Sequence, residues 1–284
     1  QQAKPITFGL KTAGWLEAIE RSKERIEASK KSVLQIQLAG AVGSGNNNIT
    51  TEVQQNLAQL LGLNPSHSWQ SNRDSLVEWA SVLAILNQSM GKIAKDVSLM
   101  MQTEIAEVFE KAADGKGGSS TMPHKRNPVT CAAILANANR VPNLLATLLS
   151  AMLQEHERSA GLWHSEWETL ADLMKLTAGS LERSIDLLEG LEVDSEKMLE
   201  NIAITKGLIY AENIVLALAS TIGKYEAHIL VEKACKLAVT QKKNLKEILI
   251  EMKVKVADIE ELFKPENSIG NSLEIIDLIL KKNS

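Results

Sequence analysis

The sequence predicts an all-α protein, a bundle of long helices followed by a smaller helical domain. Three observations carry this. Apolar residues recur at helical spacing from Trp15 through Ile19, Ile26, Val33 and Ile36. No strand-like alternation persists along the chain. Gly, Pro, Asn and Ser gather between the periodic segments, where turns belong. The 284 residues, 44% hydrophobic and 23% charged, suffice for one large or two modest cores.

The first helix is expected to start near Pro5 or Thr7 and to end near Gly40, before the turn residues GAVGSGNNN. Thr50 or Thr51 caps a short helix to Leu61, which Gly62 closes. A long helix is expected from about Asp74 to Phe109, with Arg73 and Asp74 as its cap or as part of a site. Between Leu76 and Thr103 only Glu78, Lys92, Lys95 and Asp96 are charged. A helix apolar nearly all round is buried on most sides, which predicts a bundle core shared between subunits.

Pro128 can open the next helix as its first residue. That helix runs to about Gln154 with a kink at Pro142, HERSAGLW interrupts, and another helix covers Leu162–Leu188. Shorter helices follow at Ser195–Thr205, Ala211–Ser220, Tyr225–Gln241, Leu245–Met252, Val256–Phe263 and Ser272–Lys281. The expected organisation is a central bundle over 1–190 and a small C-terminal domain over 191–284.

A net charge of −4 and the lack of a long basic run leave no electrostatic case for nucleic acid or a membrane surface. The apolar uncharged runs Trp79–Gly91 and Val141–Gln154 fall short of the roughly 20 residues that span a bilayer. Cys131 and Cys235 are far apart and outside any metal-ligand spacing, so free thiols in a reducing cytoplasm are expected. The first residue is Gln1, and QQAKPITFG has neither region of a secretory signal. The native N-terminus is expected to lie upstream.

One stretch is too polar for a core and too rich in Gly and Pro for a helix: GGSSTMPHKRNP, from Gly117 to Pro128. Its glycines let backbone approach a ligand, and successive N–H groups there can form an anion-binding nest. Lys125 is a point positive charge, and Asn127 offers a donor and an acceptor. A helix N-terminus follows and favours negative charge. These residues fit a carboxylate site. A surface loop whose serines cap helices accounts for the same composition equally well.

The segment GSSTMPHKRN (118–127) matches the pattern G-S-x-x-M-x-x-K-x-N and so resembles the fumarase/aspartase superfamily. QQAKPITFG, MQTEIAEVFE (101–110) and GKYEAHILV (223–231) resemble further segments of it, the last two in its adenylosuccinate lyase branch. The resemblance covers essentially the whole chain. GGSSTMPHKRNPV and HERSAGLWHSEW (156–167) look most like its lactonizing, cycloisomerase branch. Two departures separate the chain from the nucleotide-cleaving members. Ala132 stands where they place a glutamate, and Trp163 and Trp167 stand where a serine and an arginine hold phosphate. An indole has one N–H and no charge, so it cannot replace arginine there.

The resemblance implies addition to, or elimination from, the carbon β to a carboxylate, with no cofactor and no metal. Ser119 is the implied proton carrier, with Ser120 beside it. Lys125 and Asn127 are the implied donors to the substrate carboxylate. Met122, His124, Gln1, Thr7 and Arg158 are implied substrate contacts. For Arg158 a surface ion pair with Glu155 or Glu157 is the alternative. His156 and His164 are either acids and bases or structural, while His67 and His228 have no constellation around them. A histidine two residues before Gln1 would complete the machinery. The implied partner is a small polycarboxylate, bound where three subunits of a homotetramer meet. The loop over 114–124 is expected to be weakly ordered and to close as a lid. A β-eliminating lyase and a non-catalytic helical remnant are the alternatives.

Overall fold

The structure is a computed structural model that describes residues 2–67, 69–111, 117–118, 121–122 and 124–282. It is all-α, as the sequence predicts. The helices are α1 (Phe8–Val33), α2 (Thr51–Leu61), α3 (Asp74–Met100), α4 (Val129–Ser150) and α5 (Leu162–Glu189), then α6 (Ser195–Ala203), α7 (Ala211–Ile222), α8 (Lys224–Gln241), α9 (Leu245–Glu251), α10 (Ile259–Leu262) and α11 (Ser272–Lys282). Two-residue strands β1 (Val108–Phe109) and β2 (Glu192–Val193) pair with each other. Among the described residues no single helix is long and apolar enough to cross a membrane.

Several boundaries differ from expectation, four of them for an evident local reason. α1 stops at Val33 rather than Gly40, because the following residues pair in an extended conformation. Asn64 N–H donates to the Leu34 carbonyl at 2.8 Å, and Ile36 N–H to the Asn64 carbonyl at 3.0 Å. α3 stops at Met100 rather than Phe109, since Ala106 adopts a left-handed backbone (φ 53°) and Val108–Phe109 is extended. Pro128 caps α4 instead of opening it, with ψ at 66° outside the helical range. The expected helix at Val256–Phe263 shrinks to Ile259–Leu262, because Asp258 is left-handed (φ 48°). The short helix forms as expected: Thr50 Oγ1 accepts from Val53 N–H at 3.3 Å, and Gly62 closes it in the left-handed conformation.

The chain packs as two compact units, one of residues 17–103 and 108–192, the other of residues 1–16, 104–107 and 193–284. The first sixteen residues belong to the same unit as residues 193–284.

In the first unit α3, α4 and α5 form the bundle. Val77, Ala80, Leu83 and Ala84 pack with Val141, Leu148 and Leu173. Gln88 Nε2 donates to the Ala138 carbonyl at 2.6 Å, and a Cβ on Gly91 would lie 2.8 Å from that of Ala138. The middles of the two helices thus touch, while Val77 and Ala80 of early α3 share a core with Leu148 of late α4, so the two run antiparallel. Asn87 and Asn137 both donate to Ser180 Oγ, at 3.2 and 3.0 Å, and Arg73 just before α3 reaches Glu166 early in α5, so α5 runs parallel to α3. In the second unit Ile214 and Leu218 of α7 pack with Val231, Ala234 and Ala238 of α8 and Leu245, Ile248 and Leu249 of α9.

Candidate active site

The loop before α4 is held at its two ends by its own backbone. Gly117 is left-handed (φ 71°), and its carbonyl accepts from Asn127 N–H at 2.9 Å and from Asn127 Nδ2 at 3.1 Å. A Cβ on Gly117 would lie 2.8 Å from the Asn127 carbonyl oxygen, so the closure needs glycine. Lys125 N–H donates to the Met122 carbonyl at 2.9 Å, forming a turn. Ser119 and Ser120, the implied proton carrier and its neighbour, lie outside the described residues, as do Gln1 and much of the expected lid over 114–124.

The three basic residues of the loop divide sharply. Arg126 is used by the fold. It donates to Glu192 Oε2 at 2.9 Å and to the Glu110 carbonyl, and its guanidinium lies 4.9 Å from the centre of the Phe109 ring. His124 and Lys125 are exposed, and among the described residues no acidic side chain pairs with either. Met122 is exposed as well.

At the start of α4 a helix N-terminus favours negative charge, and here the protein supplies the acceptors itself: the N–H groups of Val129 to Ala132 are all taken. Val129 N–H donates to the Asn127 carbonyl and Ala132 N–H to that of Pro128. The buried Glu110 carboxylate accepts from Thr130 N–H at 3.1 Å and Cys131 N–H at 2.8 Å. A protein carboxylate already sits where an anion would. Next to it the Cys131 thiol is pushed far up from its ordinary value, first by burial, then by its hydrogen bond to Glu110 and that residue's charge.

The second predicted region lies past the other end of α4. Trp163, His164 and Trp167 form a mutually packed trio, with ring centres 4.7 to 5.4 Å apart. Trp167 is 57% exposed. Arg158 lies over the Trp163 ring at 5.9 Å, while Glu155 accepts from Ser159, which holds its carboxyl below the usual range. His164 Nδ1 accepts from Gly161 N–H at 3.2 Å, and His156 adopts a left-handed backbone (φ 50°). Beneath the trio, Arg73 donates to Glu166 Oε1 at 2.9 Å and pairs with the second oxygen, both side chains being buried. Arg73 also lies 5.1 Å over Trp69, and Gln154 donates to Glu166 at 3.4 Å. Arg73 stands at the N-cap position of α3 without a side-chain cap bond, and its guanidinium instead partners a buried carboxylate.

The 22 residues of α4 separate these two regions by about 33 Å within one protomer. Lys125 and Arg158 therefore do not meet in a single chain. Thr7, in the other unit, caps α1, its Oγ1 accepting from Leu10 N–H at 3.0 Å. A cleft of about 450 Å³ in that unit, lined by Leu199, Tyr210, Lys246, Glu260 and Phe263 among others, contains none of the predicted site residues. Among the described residues no cluster of three His, Cys, Asp or Glu side chains could hold a metal ion.

Sequence reasoning missed Glu110 and Glu166. Each joins its partner only through the fold, 20 or 21 positions away for Glu110 and 93 for Glu166, so no local motif marks either.

The fold and the loop define an all-α protein whose glycine-closed loop leaves Lys125 exposed. Its lyase family is clear from comparison: the profile described as "Lyase" matches residues 1–143, and that of the adenylosuccinate lyase C-terminus matches 207–279. The chain belongs to this lyase family, as the resemblance of its loop implied. It is 49% identical, over 99% of its length and 64% of the relative's, to the 3-carboxy-cis,cis-muconate cycloisomerase of Acinetobacter baylyi. It is 45% identical, over 100% and 63%, to that of Pseudomonas aeruginosa. The crystal structure of the 3-carboxy-cis,cis-muconate lactonizing enzyme from Pseudomonas putida superimposes with a TM-score of 0.91 at 42% identity, over 99% of this chain and 65% of that one. The chain spans about 64% of the length of the curated relatives it matches.

Proposed function

We propose that the protein is a 3-carboxy-cis,cis-muconate cycloisomerase. In this reaction one carboxylate oxygen of the substrate adds to the carbon β to another carboxylate, forming a C–O bond and closing a lactone. The C=C electron pair moves onto the α-carbon and into its carboxylate. A proton then adds at the α-carbon. No atom is lost, so the step is an isomerisation.

The observation that carries the reading is the division of labour in the loop. Arg126 and the Asn127 amide serve the fold, and Lys125 stands exposed beside them. A cation placed at the developing carboxylate charge is the largest help such an intermediate can receive. Asn127 places the loop with one Nδ2–H and offers the other to the substrate carboxylate. Ser119 delivers the proton, with Ser120, Met122 and His124 around the substrate. Ala132, Trp163 and Trp167 fit a small polycarboxylate without phosphate.

Arg158 and the tryptophan trio join the site from another subunit, because α4 holds them about 33 Å from Lys125 in their own. Support for such an assembly lies in the bundle helices, where Ile85, Leu149, Leu181 and Ile185 are each 41 to 51% exposed. A homotetramer in the cytoplasm, acting in the breakdown of aromatic acids, completes the proposal. The lyase family profiles favour one second reading, a β-eliminating lyase on a succinyl-type substrate.

The test is ultraviolet absorbance of 3-carboxy-cis,cis-muconate mixed with a protein of the relatives' full length. The conjugated-diene band should disappear. Ser119→Ala should abolish its loss, and Lys125→Ala should slow it on the order of 100-fold. A band that persists with the unsubstituted protein rejects cycloisomerisation, and succinyl adducts are then assayed for release of fumarate.

A further inference from the structure

Two residues outside the predicted machinery hold that machinery in place. We propose that Glu110 and Arg126 are positioning residues for Asn127 and Lys125. The inference rests on the proposed role of the loop, though not on the identity of its substrate.

The argument is geometric. Lys125, Arg126 and Asn127 are consecutive, so a fixed Arg126 side chain restrains the backbone on both sides of it. Arg126 is fixed in three directions, by Glu192 Oε2, by the Glu110 carbonyl and by the face of Phe109. Its planar fork makes the two hydrogen bonds while its face stacks on the ring, a combination that lysine cannot reproduce. Glu110 supplies the second fixed point. Its carbonyl receives Arg126, and its carboxylate receives the first turn of α4 through Thr130 and Cys131 N–H. One buried residue thereby ties the loop to the helix that follows it. Between these points Asn127 closes the loop on Gly117. The placement of Lys125 then follows from the fold and needs no ligand to set it, and such preorganisation lowers the reorganisation needed when charge develops.

The test uses Arg126→Lys, which keeps the charge, and Glu110→Gln, which keeps the shape. Both are made in a protein of the relatives' full length. For Arg126→Lys, kcat should fall about 10- to 100-fold with KM changed less than about 3-fold and the melting temperature lowered by only a few degrees. Glu110→Gln should show the same split in smaller measure. Hydrogen exchange gives a readout independent of turnover: amides of 125–131 should exchange faster in both variants, while those of the α7–α8 core stay protected. Unchanged kcat, or unchanged exchange at 125–131, overturns the proposal, as does a kcat loss that tracks global unfolding. If the unsubstituted protein cyclises nothing but releases fumarate from a succinyl adduct, the same split is measured on that substrate. A protein that turns over neither refutes the proposed function, and the clamp is then judged on exchange alone.

Discussion

At the end of the bundle where α4 begins, the buried carboxylate of Glu110 receives backbone N–H groups. At the opposite end, where α3 and α5 begin, the buried carboxylate of Glu166 receives the guanidinium of Arg73. The first arrangement ties two pieces of backbone and leaves the neighbouring Lys125 exposed. The second neutralises two charges against each other beneath an exposed aromatic trio. The difference teaches that burial of a carboxylate means different things at the two ends. Glu110 satisfies helix donors that would otherwise be unpaired. Glu166 exists in the core because Arg73 does, and each is tolerable only with the other.

The largest effect should come from breaking the ion pair. Glu166→Ala leaves Arg73 buried without a counter-charge and should lower stability by about 3–5 kcal/mol in denaturant unfolding. The pair replacement Arg73→Met with Glu166→Leu should recover most of that loss, since two apolar side chains leave no buried charge. A loss below about 1 kcal/mol for Glu166→Ala would mean that water reaches Arg73, and the contrast between the two ends would vanish.

Removing the other carboxylate should cost less. Glu110→Ala orphans the Thr130 and Cys131 N–H groups at the first turn of α4, and unmet buried donors cost about 1–3 kcal/mol. The same denaturant series measures both variants. A greater loss for Glu110→Ala than for Glu166→Ala would invert the comparison and make the loop end the principal anchor of the bundle.

Much of the fold was legible because it is local. Thr50 or Thr51 and Gly62 bracketed α2, with Thr50 proving to be the cap, and the periodic segments located α3, α4 and α5. The errors arose where pairing over distance overrode helical propensity. Leu34–Ile36 read as helix and instead bonds with Asn64. Ala106, a strong helix former inside the expected helix, is nonetheless left-handed. For the candidate site, Lys125 and Asn127 could be named from the motif that carries the family resemblance. Arg126 was in plain view between them, but nothing in a sequence tells an arginine that clamps from one that faces solvent. The trio of Trp163, His164 and Trp167 was legible as composition, whereas its distance from the loop emerged only once α4 was seen to separate them.

The smallest effect sharpens the same contrast through pH. Cys131 lies against Glu110, and burial raises its folded-state pKa well above the ordinary value near 9. A raised pKa contributes stability that is fully present below the unfolded value and is lost as pH rises past it, because the unfolded chain releases a proton that the folded chain keeps. Stability should therefore be level up to about pH 9 and then decline. The loss at pH 10 should be at most about 1.4 kcal/mol, one pH unit beyond the ordinary thiol value. Cys131→Ser, which carries no titrating thiol, should lack this component. The difference between the two proteins isolates it from the partly buried Cys235, whose thiol burial also pushes up. If the two decline in parallel from pH 8 to 10, the Cys131 thiol ionises in the folded protein. The first turn of α4 would then be open to water, and Glu110 could not be the dry anchor that distinguishes this end from the other.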